Sequence, residues 1–245
     1  MISVIIPVYN QHELTQECIR SVMRQNTDLE IIIVDNGSHP GYVNKRMSTF
    51  VIRNESNLGF PRAINQGISV SNGDIICILN NDTILPRITL EKLLHFLDIA
   101  NFDIVGPVSN YVAGVQKVTV PEYTDITSLE NSAWKNEQDN FTKVLPVNFI
   151  IGFCMMFRRS TFDDVGPFDE SLWPCSGEEI DWCFRARGLD YNIGVAMDTY
   201  IHHFGSQTFN DLQRQGQLSY QEICNRNDKH IAERWGEGFW QRQLM

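Results

Sequence analysis

No Cys-x-x-Cys pair occurs in this chain of 245 residues, and its six cysteines (Cys18, Cys77, Cys154, Cys175, Cys183 and Cys224) are widely scattered. Scattered cysteines, one of them inside an apolar strand-like run, argue for reduced thiols and a reducing compartment. Positive charge is also scarce. Twenty Lys and Arg stand against thirty Asp and Glu, a formal net charge of -10, which excludes broad sequence-independent binding of nucleic acid. No apolar run is long enough to span a bilayer. The longest, Val147 to Phe157, is broken by Asn148 and Gly152. The start, Met1-Ile2-Ser3-Val4-Ile5-Ile6-Pro7, has no basic segment and enters a strand pattern at once, so no signal peptide is expected. These absences lead us to expect a cytoplasmic protein, with at most peripheral contact at the inner face of a membrane.

What is present is an ordinary globular composition, 42% apolar and 20% charged, in a chain long enough for one large α/β core. Ser3 to Val8, Glu30 to Val34, Phe50 to Arg53, Asp74 to Leu79 and Asp103 to Val105 read as strands. Between them, Leu14, Cys18 and Val22, then Ala63, Ile64 and Ile68, then Leu90, Leu93, Leu94 and Leu97 mark helical stripes. Strands apolar throughout, alternating with helices, predict a mainly parallel sheet covered on both faces. Tyr111 to Val144 is polar and reads as a long excursion with a short helix near Ser128 to Asn136. Tyr191 to Ala196 is a further strand, and the polar tail from Gln207 carries helical spacing through Leu218, Ile223, Ile231 and Trp235.

The apolar run Ile75-Ile76-Cys77-Ile78 leads straight into Leu79-Asn80-Asn81-Asp82-Thr83. A buried strand ending in an acidic turn places a carboxylate at the carboxyl edge of the sheet, where open α/β folds bind ligands. An Asp there can hold a hard divalent cation, which in turn can bind a diphosphate. A nucleotidyltransferase is disfavoured, because Val8-Tyr9-Asn10-Gln11-His12 has no glycine-rich loop after the first strand.

Seven stretches, in order, resemble glycosyltransferase family 2. They are Val4-Ile5-Ile6-Pro7-Val8-Tyr9-Asn10, Ile32-Ile33-Val34-Asp35-Asn36-Gly37-Ser38, Asn57-Leu58-Gly59-Phe60 with Asn65-Gln66-Gly67, Leu79-Asn80-Asn81-Asp82-Thr83, Val165-Gly166-Pro167-Phe168-Asp169-Glu170, Glu178-Glu179-Ile180-Asp181 with Arg185, and His202-His203. The Asn-Leu-Gly-Phe and His-His forms are similar to its rhamnosyltransferase-like branch. The resemblance implies a GT-A type α/β/α sandwich over residues 1–205, with a nucleotide-binding half (1–106), an acceptor half (107–205), and a C-terminal helical tail (206–245). It implies an inverting transferase that moves a sugar from a UDP- or dTDP-linked donor to a hydroxyl of a glycan or lipid-linked acceptor, in bacterial polysaccharide or glycoconjugate synthesis. A non-catalytic nucleotide-sugar binding module is the alternative.

The same resemblance implies roles for particular residues. Pro7, Tyr9, Asn10 and Asp35 would meet the base, with Asp35 on its imide. Asn57, Gly59, Arg62 and Asn65 would lie along the nucleotide-sugar, with Arg62 facing phosphate. Asn80, Asn81 and Asp82 match the D-x-D turn, with Asn80 in place of the first Asp, and Asp82 would bind Mn²⁺ or Mg²⁺. Adjacent strand residues face opposite ways, so only one of His202 and His203 can join it. The family pattern favours His202. Glu179 would deprotonate the acceptor, with Glu178 and Asp181 completing an acidic cluster whose like charges raise at least one pKa. Asp181 also has an i,i+4 partner in Arg185. Gly152 and Trp173 are the candidates on the acceptor side.

Overall fold

The computed structural model describes residues 1–43, 49–99, 102–205, 207, 216 and 219–242. Within them, strand β1 (Ile2–Val8) lies parallel to β2 (Leu29–Asn36) on one side and to β4 (Ile75–Leu79) on the other. Every residue of β1 and β4 is buried, as continuous apolar runs covered on both faces must be. The sheet has nine strands in the order β3-β2-β1-β4-β8-β6-β9-β5, with β7 also pairing β9. Here β3 is Thr49–Asn54, β5 Thr83–Ile84, β6 Ile104–Ser109, β7 Val144–Val147, β8 Cys154–Arg158 and β9 Ile193–His203. β8 runs antiparallel to β4 and β6, and β5 and β7 run antiparallel to β9; the remaining pairings are parallel.

Period-two alternation splits the core into two layers. Ile5 faces a cluster holding Ala63 and Ile64 of α2 (Phe60–Val70), Leu129 of α4 (Ile126–Asn140), and Ile180 and Trp182 of α6 (Glu178–Arg187). Val4 and Ile6 face the opposite cluster, with Cys18 and Ile19 of α1 (His12–Val22) and Leu90 and Leu93 of α3 (Thr89–Ile99). The fold is thus a mixed α/β sandwich around a mostly parallel central sheet. A short helix α5 (Arg159–Val165) follows β8. All six cysteines are free thiols.

The structure differs from the sequence reading in three elements. α4 is longer than expected because Asp125 and Ser128 form a reciprocal capping box that fixes its start. β9 runs on to His203, past a register shift in which Pro107 pairs Ala196 and the next residue, Val108, pairs Tyr200. Of the tail, α7 (Tyr220–Trp235) is helical as expected but docked, burying Ile231 completely in the same cluster as Trp182, while Leu218 lies outside the described residues. Asn227 Nδ2 of α7 also donates to the carbonyls of Leu172, Cys175 and Ser176 at 3.0, 2.9 and 2.9 Å.

Candidate active site

A cavity of about 610 Å³ opens where the parallel strands end, within the usual size range of small-molecule sites. Pro7, Val8 and Tyr9 at the end of β1, Asn36 of β2, the Asn80-Asn81-Asp82 turn after β4, Tyr111 to Ala113 after β6 and His203 of β9 line it. Because β8 is antiparallel, its start lies at this same edge and adds Ile151, Gly152 and Phe153. Pro174 to Ser176, Glu178 and Glu179 close one side, and Gln207 and Tyr220 enter from the tail. The segments that the turn and strand patterns picked out far apart along the chain therefore share one basin.

Asp82 and His203 meet at the centre. They are 121 positions apart, yet β5 pairs β9 with Thr83 opposite His203, and His203 Nε2 lies 3.1 Å from Asp82 Oδ1. The other ring nitrogen, Nδ1, lies 2.7 Å from the carbonyl oxygen of Tyr111. A carbonyl only accepts, so Nδ1 carries a hydrogen, and Nε2 is the nitrogen turned toward the Asp82 carboxylate. Donors each ~2.1 Å from a cation and at right angles are about 3 Å apart, so the pair fits Mn²⁺ or Mg²⁺. Among the described residues no group of three or more His, Cys, Asp and Glu could hold a metal.

His202 does not join this pair, contrary to expectation. It lies on the opposite side of the strand, with Nδ1 at 2.5 Å from the Tyr123 hydroxyl, and burial together with His203 lowers its pKa. Asn80 stays near the centre, its Nδ2 3.5 Å from His203 Nε2, whereas Asn81 is tied to Thr15 Oγ1 at 2.9 Å.

Glu178 and Glu179 open α6, behind Gly177, and are only 3% and 7% exposed. Burial raises the Glu178 carboxyl well above the ordinary range, and the neighbouring Glu179 raises it further. Glu178 Oε2 has no hydrogen-bond partner. Glu179 is also raised by burial, against the lowering effect of backbone N–H groups that include those of Gly177 and Gly152; Gly177 N donates to Oε2 at 3.2 Å. A buried carboxylate beside an open cavity is equipped to take a proton from a bound hydroxyl. Asp181 is not part of this pair. It is fully buried on the far side of the helix and accepts from Arg185 Nε at 2.9 Å, Arg234 Nη1 at 3.0 Å and Trp235 Nε1 at 2.9 Å. Its charge fastens α6 to α7.

Pro7, Tyr9 and Asn57 line the cavity as expected from sequence, and Asn36 and Lys117 line it unforeseen. Other expected residues serve the scaffold. Asp35 is fully buried, accepts from Ser38 N at 2.9 Å and Tyr42 N at 2.7 Å, and pairs with Arg53. Burial would raise its pKa, but these hydrogen bonds outweigh it and hold the carboxyl below the usual aspartate value. Asn10 is spent on the same loop, with its N donating to Ser38 Oγ and its Oδ1 accepting from His39 N, both at 2.8 Å. Arg62 is half exposed and lies 3.8 Å from Glu170. Asn65 exchanges hydrogen bonds with the backbone of Phe168 at 2.9 and 3.0 Å. Trp173 packs on the start of α2 instead of facing the cavity: a Cβ on Gly59 would fall 2.6 Å from its Cδ1. Asp35 is tied largely within its own turn, whereas the partners of Asn10, Arg62, Asn65 and Trp173 come from distant segments that local sequence does not reveal.

Residues 3–166 match the model of glycosyl transferase family 2. The chain is 28% identical over 212 residues to Glycosyltransferase AglE of Haloferax volcanii, spanning 82% of this chain and 66% of that protein. It is 30% identical over 212 residues to Uncharacterized protein Rv1525 of Mycobacterium tuberculosis, spanning 84% and 74%. In three dimensions it resembles mannosyltransferase PcManGT from Pyrobaculum calidifontis, solved in complex with GDP-Man and Mn²⁺, with a TM-score of 0.64 at 17% identity over 97% of this chain and 64% of that one. The fold is that of the GT-A glycosyltransferases, and the chain belongs to glycosyl transferase family 2.

Proposed function

We propose that this protein is an inverting glycosyltransferase, moving a sugar from a nucleoside diphosphate donor to a hydroxyl of a glycan or lipid-linked acceptor. The observation that carries this reading is the convergence, in one cavity, of the Asp82–His203 pair and the buried carboxylate of Glu179. Tyr9 and Pro7 flank the base, and Asn57 borders it, held by Asn36, whose Nδ2 donates to Asn57 Oδ1 at 3.0 Å and to Gly59 O at 3.1 Å. Asp82 and His203 are the residues that would hold Mn²⁺ or Mg²⁺, which would supply positive charge against the leaving diphosphate. Glu179 takes the proton of the acceptor hydroxyl as its oxygen bonds to the anomeric carbon and the bond from that carbon to the diphosphate breaks. Gly152 borders Glu179, where an added Cβ would lie 3.2 Å from the Glu179 Cβ, so acceptor entry over this strip suits a residue with no side chain. PcManGT, solved in complex with GDP-Man and Mn²⁺, supports the donor and metal classes. The reading extends to a cytoplasmic enzyme of bacterial polysaccharide or glycoconjugate synthesis that meets lipid-linked acceptors peripherally; among the described residues no helix is long and apolar enough to cross a membrane.

The test is a donor screen with UDP-, dTDP- and GDP-linked sugars and Mn²⁺, read as nucleoside diphosphate released in the presence of acceptors. Turnover should vanish in EDTA and return with Mn²⁺. Glu179→Gln should slow transfer by about 10²–10⁴-fold while donor affinity by calorimetry stays close to that of the wild type. A fully active Glu179→Gln enzyme would remove the assignment of the base. Donor binding without product across the acceptor panel would favour a binding module.

A further inference from the structure

His203 is held by more than its strand. The β6–β9 ladder stops at Ser109 opposite Ile201, two residues short of it. The side chain of Asn110 continues the ladder: His203 N donates to Asn110 Oδ1 at 2.9 Å, and Asn110 Nδ2 donates to His203 O at 3.1 Å. One amide thus replaces the missing strand partner with both of its polar atoms. The next residue supplies the carbonyl that fixes the ring, Tyr111 O on Nδ1 at 2.7 Å. The imidazole is stacked on Phe153 at 5.3 Å between centroids and meets the edge of the Tyr111 ring at 5.9 Å. Below, Gly205 at φ +75° leaves room for that tyrosine, since a Cβ there would lie 2.0 Å from Tyr111 Cδ1.

Asn110 is itself held in place. Tyr200 Oη donates to Asn110 Oδ1 at 3.2 Å, the Tyr123 and Tyr200 hydroxyls lie 2.7 Å apart, and Tyr123 reaches His202 Nδ1 at 2.5 Å. The hydroxyl of Tyr200 is committed to Asn110, so Tyr123 donates to Tyr200 and the His202 ring N–H donates to Tyr123. His202, on the outer side of the strand, thereby closes a chain of hydrogen bonds that ends on the backbone of its neighbour.

We propose that Asn110 is the positioning residue of the metal-ligand histidine: it clamps the end of β9 so that His203 Nε2 faces Asp82, and the Tyr200–Tyr123–His202 chain braces that clamp. This rests on the reading of Asp82 and His203 as cation ligands. Partners that orient a ligand of this kind are worth about 10–100-fold in metal affinity.

The test uses Mn²⁺ alone, titrated into the full-length protein and followed by the electron paramagnetic resonance of the free ion, alongside long-range proton–nitrogen NMR of the His203 ring in the metal-free protein. Wild type should show the Nδ1–H form. Asn110→Ala should weaken Mn²⁺ by about tenfold or more and mix the two ring forms, and Tyr123→Phe, which keeps the ring and drops the hydroxyl, should give a smaller loss in the same direction. If Asn110→Ala does not fold, Tyr123→Phe carries the decision through the same two readouts. Unchanged Mn²⁺ affinity and an unchanged ring form in these variants, while His203→Ala abolishes binding, would overturn the clamp and leave the metal site standing. Mn²⁺ binding that is absent from wild type, or unmoved by His203→Ala, would sink the metal reading and the clamp with it.

Discussion

Glu178 and Glu179 are two adjacent carboxyls withdrawn from water, and the burial that raises both makes them favour the protonated form in the folded chain. In the unfolded chain each titrates near the ordinary glutamate value of 4.5. Between that value and the raised one, the folded protein binds more protons than the unfolded chain, so stability falls as pH rises through this window and is fully present below it. Glu178→Gln keeps the shape and removes the titration. Its melting temperature should exceed that of wild type at mildly alkaline pH and converge with it at acidic pH; parallel melting curves at every pH would show that Glu178 is not buried as a neutral acid. The proposed transfer, with Glu179 as base, depends on the opposite form. Glu179 must be ionised to accept a proton, so kcat should climb with pH through a midpoint above the usual glutamate value; a rate already flat from acidic pH upward would contradict the raised pKa.

At the scale of elements, α6 has two jobs on two sides. Its first turn presents the glutamates to the cavity, and Asp181 anchors Arg185, Arg234 and Trp235 behind. Asp181→Asn should therefore cost about 3 kcal/mol in denaturant unfolding, the scale for breaking a buried ion pair, while kcat per folded molecule stays near wild type. A catalytic loss without a loss of stability would restore Asp181 to the chemistry. Such divisions explain what the sequence reading could reach. The strands were legible from continuous β-branched runs closed by turn residues, and the Asn80-Asn81-Asp82 turn was legible as a sheet edge because its strand is apolar to the last residue. α4 was only partly legible, since few apolar residues stud its polar sequence, although Asp125 and Ser128 carried a capping signal. Which histidine faces inward was not legible at all. Period two says that His202 and His203 oppose each other, but the register shift between Pro107 and Val108 sets which face each takes, and one residue of slip exchanges them. Arg62 and Asn65 escaped for a related reason: their partners, Phe168 and Glu170, are over a hundred positions away.

For the whole molecule, the tail read from sequence as an appendage after residue 205 shares the main core. Ile231 is fully buried in it, Phe239 nearly so, and Tyr220 borders the cavity. Deleting residues 206–245 should strip cover from α6 and from the Leu172–Ser176 segment that Asn227 holds, giving a poorly soluble, protease-sensitive product. A shortened chain that stays soluble and melts like the full one would make the tail a separable module.

The union of Asp82 with His203 also has a consequence in time. Asp82 leaves the ribosome long before its partner, and the two become neighbours only when β9, the last strand of the sheet, lays itself against β5. N-terminal segments organise first during synthesis, so a nascent chain with its first four strands in place still lacks one of the two side chains proposed to hold the cation. Capture of the ion would then mark the completion of the sheet, and would work as a seal on the finished product.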